Sequence, residues 1–89
     1  MTTKTDEQLE KYNETLNGLY VNNKIDGGDI VLVAEKLGLS RITVWKYAKG
    51  NGLNKNTAID ILNELAIIIE EREKKIERIE NLKDFTNND

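Results

Sequence analysis

Residues 30–49 read IVLVAEKLGLSRITVWKYAK, and the fold is decided by how this stretch breaks into two short helices and a turn. Ile30, Val33, Ala34 and Leu37 recur at the spacing that places side chains on one face of a helix. Gly38 then stops that helix, because glycine enters the left-handed conformation without a steric penalty. Ser40 is placed to cap the next helix by accepting a hydrogen bond from its unpaired first-turn amides, and that helix is predicted to end at Gly50. Val33, Leu37, Leu39, Val44 and Tyr47 fall at the buried points of the pair. Ala34 falls where the two helices touch and a larger side chain would hold them apart.

Upstream, Leu9, Tyr12, Leu16, Leu19 and Tyr20 predict a first helix from about Asp6 to Val21, opened by a capping box of Thr5 with Gln8. Gly18 costs this helix roughly 1 kcal/mol relative to alanine and offers Asn17 as an alternative end. Residues 22–28 are dense in turn formers, and Asp29 is expected to cap the second helix. Downstream, residues 51–56 form a loop in which Asn54 or Asn56 caps a final helix. That helix starts near Thr57 and meets no breaker until about Asp84. The expectation is an all-α fold: a helix-turn-helix bundle of about four helices whose long C-terminal helix extends as a coiled coil. Residues 1–28 form an N-terminal helix and loop, 29–66 the core, and 67–89 the extension and tail.

Composition agrees and narrows the function. The chain has 89 residues, room for one small core, with no proline and 33% charged residues. It has no cysteine and no histidine, which excludes thiolate or imidazole metal sites, cysteine nucleophiles and histidine bases. The remaining acids, among them Asp26, Asp29, Glu35, Asp60 and Glu64, fall at caps and helix surfaces, so neither catalysis nor a cofactor is expected. The longest apolar run, Ala66 to Ile69, is far short of the roughly 20 residues of a membrane span, and residues 1–7 carry no apolar signal segment. A cytoplasmic protein, bacterial or of a phage-infected cell, is expected. Net charge is −3, but residues 24–55 alone carry +3, between acidic flanks of −2 and −4.

The run Val-Ala-Glu-Lys-Leu-Gly-Leu-Ser-Arg-Ile-Thr-Val-Trp-Lys-Tyr, residues 33–47, resembles the helix-turn-helix of phage repressor and Cro-type DNA-binding proteins, with Ala34, Gly38, Ser40 and the Thr43-Val44 pair on the matching positions. The resemblance covers about residues 29–66, extending more weakly through Gly50 and residues 56–59. It implies that the second helix of the pair lies in the DNA major groove. The acidic balance of the chain and the few basic residues on that helix depart from the family.

Projected at 100° per residue, the third helix puts Thr43, Val44, Tyr47 and Ala48 on one half and Arg41, Ile42, Trp45, Lys46 and Lys49 on the other. A merely solvated face needs no apolar side chains, so Arg41, Ile42, Trp45 and Lys46 are the candidate base contacts. Arg41 is suited to guanine O6 and N7, and Ile42 or Trp45 to a thymine methyl or a sugar. Ser40, Thr43, Lys49, Lys24, Lys55 and Asn54 are the candidate DNA-backbone contacts. For Trp45 a second reading stands open, packing against the first helix or the loop after Gly50. Ile42 has a weaker form of the same alternative.

Leu62, Leu65, Ile69, Arg72, Ile76 and Ile79 alternate spacings of three and four, the seam of a coiled coil. Ala58, Ile61, Leu62 and Leu65 can also close the core of the helix-turn-helix. The expected partners are thus double-stranded DNA and a second copy of the chain, with no membrane and no metal. A repressor-like homodimer would sit on a pseudo-palindromic operator with half-sites about 34 Å apart. The competing expectation is a non-enzymatic interaction or assembly module that presents Ile42 and Trp45 to a protein groove.

Overall fold

A computed structural model of the chain describes residues 7–86, which form four helices: α1 (Glu7–Val21), α2 (Gly27–Leu37), α3 (Arg41–Ala48) and α4 (Lys55–Thr86). The fold is all-α with a long C-terminal helix. The expected Thr5 cap lies outside the described residues. α1 and α2 each pack against both α3 and α4, so α3 stands diagonally across the core from α4. Leu16, Ile30, Val33, Val44, Ile61 and Leu65 are fully buried at the centre, contributed by all four helices. Each such aliphatic side chain stabilises the fold by about 1.5–3 kcal/mol relative to leaving it in water.

α1 continues through Gly18 to Val21, because Leu19 and Tyr20 pack against the core and outweigh the glycine's low helix propensity. α2 begins three residues earlier than the apolar pattern indicates. Its N-cap is Asp26, not Asp29: Asp26 Oδ1 accepts from the Asp29 amide at 3.0 Å, and Asp29 Oδ2 accepts from the Asp26 amide at 3.0 Å. This reciprocal box satisfies two otherwise unpaired amides and carries Gly27 and Gly28, which in isolation suggest a loop, into the first helical turn. At the other end Gly38 adopts φ 69°, ψ 31°, as the sequence predicts for the C-cap.

Asp29 is buried, and its second partner comes from the far end of the bundle. Arg72 Nη2 donates to Asp29 Oδ1 and Oδ2 at 2.7 and 2.9 Å, and Arg72 Nη1 donates to the Lys24 carbonyl at 3.0 Å. The hydrogen bond to Asp29 holds the Arg72 guanidinium above its ordinary pKa despite partial desolvation. The clamp marks where α4 leaves the domain, since residues 73–86 are all exposed. At 1.5 Å per residue the 32-residue α4 is about 48 Å long. It draws the molecule out to 71 × 24 × 18 Å.

The connection from α3 to α4 is fixed by two side chains. Asn13 on α1 donates through Nδ2 to the Gly52 carbonyl at 3.0 Å and accepts at Oδ1 from the Gly52 amide at 3.1 Å. The Tyr47 hydroxyl accepts from the Asn54 amide at 2.9 Å, and a Cβ on Gly52 would overlap the Tyr47 ring. Asn54 Oδ1 then accepts from the Thr57 amide at 3.0 Å, so Asn54 caps α4 and the helix starts at Lys55, two residues before the expected position.

Candidate nucleic-acid interface

α3 is held by its cap and by one buried face. Ser40 Oγ accepts from the Thr43 amide at 3.1 Å and lies 2.9 Å from Thr43 Oγ1. The helix ends at Ala48 with Lys49 as its C-cap, and Gly50 follows in the left-handed conformation, φ 87°, beside Asn17 of α1. Val44, Tyr47 and Ala48 are buried in the core and Thr43 is half-buried. The opposite face presents Arg41, Ile42, Lys46 and Lys49 to solvent, with Ile42 81% exposed. No residue of α3 is acidic, so this face of an otherwise acidic chain is positive.

Trp45 is placed differently from the other candidates. It is half-buried, edge-on to Tyr20 with ring centroids 5.3 Å apart and an interplanar angle of 82°. A Cβ at Gly27 would stand 3.9 Å from its Cζ2, and the Lys49 ammonium lies 5.9 Å from its ring centroid. Trp45 therefore packs between the end of α1 and the start of α2, which is the first-helix packing that the sequence left open. It forms the floor of an open groove lined by Tyr20, Ile42, Trp45, Lys46, Lys49 and Asn51. Tyr20 and Asn51 were not among the sequence candidates. Periodicity puts Tyr20 on the core stripe of α1, and Asn51 has only the look of a turn former.

The outlying candidates lie away from α3. Lys24 is exposed, and its main-chain carbonyl accepts from Arg72; Lys55 Nζ donates to Gln8 Oε1 at 3.1 Å, and Asn54 caps α4 through Oδ1. Along the expected seam, Leu65 is fully buried, and Leu62 and Ile69 pack against the same core. Arg72 is bound to Asp29 of its own chain. Ile76 and Ile79 remain exposed beyond the domain at 53% and 55%, as do Leu82 and Phe85.

Among the described residues no group of three acidic side chains is arranged to hold a metal ion, and no helix is long and apolar enough to cross a membrane. No family model, no curated protein and no solved structure matches this chain.

Proposed function

We propose that the chain is a sequence-specific double-stranded DNA-binding regulator of the repressor type, which acts by occupying an operator through α3. The observation that carries the reading is the exposed face of α3, where Arg41, Ile42 and Lys46 project from a helix preceded by a left-handed glycine and opened by a serine cap. Arg41 supplies two donors for guanine, Ile42 an apolar surface for a thymine methyl, and Lys46 a donor for a base edge or phosphate. The acidic flanks repel DNA elsewhere on the surface, so non-specific affinity is low.

The protein works as a homodimer in this reading, with the exposed Ile76 and Ile79 of α4 as the pairing surface. Leu65 is fully buried in the domain's own core and Leu62 and Ile69 are half-buried against it, so the most exposed part of the seam lies beyond Arg72.

Selection from a randomised duplex pool at two salt concentrations tests the function. An enriched inverted repeat with half-sites one helical turn apart is the expected result. The exposure of Ile42 also suits an interaction module without nucleic acid; absence of any enrichment would favour that reading.

A further inference from the structure

We infer that the groove between the last turn of α1 and the outer face of α3 is the track for the sugar-phosphate backbone of one DNA strand, with Tyr20 and Asn51 as positioning contacts beside the base readers. The inference rests on the DNA-binding reading and adds to it a second element, α1, together with the α3–α4 loop.

Three observations carry it. Trp45 is packed edge-on to Tyr20 and close to Gly27, so it supplies a floor rather than a projecting side chain. The lining is of two kinds. Tyr20, Ile42 and Trp45 give apolar surface suited to deoxyribose C–H groups, while Lys46, Lys49, Asn51 and the Tyr20 hydroxyl give donors suited to phosphate oxygens. None of the lining residues is a carboxylate, on a chain whose net charge is −3, so the occupant is anionic. Lys46 and Lys49 lie three residues apart, which on a helix brings their Cβ atoms to about 5–6 Å, and their long stems let them meet successive phosphates along one strand.

The third observation limits the track. On the other side of Lys49 a second groove is lined by Glu10, Asn13, Glu14 and Asn17. Its two carboxylates repel phosphate, so the strand runs on the Tyr20 side of Lys49, and Arg41 with the outer edge of Ile42 is left for base reading.

The test uses the full chain and fluorescence anisotropy with two labelled probes, a random-sequence duplex and the duplex enriched by selection, and a labelled poly-glutamate as a third. Tyr20→Phe keeps the ring and removes only its hydroxyl; Asn51→Ala removes an exposed amide. Each is expected to weaken binding about threefold to tenfold on both duplexes alike, leaving sequence preference unchanged. Lys49→Ala is expected to lower the slope of log affinity against log salt by about 1. Arg41→Ala, by contrast, is expected to relax sequence preference. If Tyr20→Phe and Asn51→Ala bind both duplexes as the parent does while Arg41→Ala still alters preference, the track is overturned and the DNA reading stands. If the parent binds neither duplex, both fall. Binding of poly-glutamate in preference to duplex, abolished by Lys49→Ala, would assign the groove to an acidic peptide and overturn the inference.

Discussion

Three glycines separate what a residue does locally from what its neighbours require of it. Gly18 lies inside α1 with open space where a Cβ would stand, so Gly18→Ala is expected to raise stability by about 0.5–1 kcal/mol. Gly52 lies against the Tyr47 ring and is gripped on both backbone groups by Asn13. Gly52→Ala is expected to cost about 1–3 kcal/mol, as the α3–α4 connection shifts to relieve the overlap. Urea denaturation of the two variants checks the opposite signs. Gly38 was legible in the sequence because a C-cap is a local requirement, met here by a φ of 69°. Gly52 was not, since its need is set by Asn13, 39 residues away, and by Tyr47. Asp29 misled for a different, local reason: two aspartates three apart can share the start of a helix, and only the backbone path through Gly27 and Gly28 gives the cap to Asp26.

At the scale of elements, α3 and α4 differ in how their outer faces are spoken for. The three-four spacing of Leu62, Leu65, Ile69, Arg72, Ile76 and Ile79 was visible, but periodicity gives an apolar face and not the identity of what covers it. Inside the domain that face meets α1 and α2. Arg72 ends the overlap by pairing with Asp29 across 43 residues. Because the Arg72 side chain is 42% exposed, the clamp is worth less than a fully buried pair, and Arg72→Ala is expected to lower stability by about 1–2 kcal/mol in denaturant titration. The raised pKa puts this contribution fully in place below the ordinary guanidinium range, to be lost only as pH rises through a still higher value. A pH dependence traceable to the arginine is therefore not expected near neutrality. Beyond the clamp, residues 73–86 continue a helix already nucleated inside the domain, and Ile76 and Ile79 are exposed on it. Under the dimer proposal, Ile76→Lys combined with Ile79→Lys is expected to give a folded monomer by sedimentation equilibrium. An unchanged mass would remove α4 from the assembly.

For the molecule as a whole, charge and shape point the same way. The positive face of α3 is diagonal to α4 across the bundle, so the extension and the proposed reading head do not compete for space. The order of helices, the turn at Gly38 and the cap at Ser40 could be foreseen because each depends on a few adjacent residues. The shape of the interface could not. Trp45 packs on Tyr20 and near Gly27, which belong to two other segments, and the groove exists only once α1 is in place. The ties that Lys24, Lys55 and Asn54 make could not be foreseen either, since the Lys24 carbonyl meets Arg72 and the Lys55 ammonium meets Gln8 across 48 and 47 residues.

The most direct test of the account is amide chemical-shift mapping of the full, isotope-labelled chain on addition of a duplex. The account predicts perturbations concentrated on residues 40–51 and around Tyr20, with residues 73–86 unmoved. Shifts absent at every duplex concentration, or confined to α4, would contradict it.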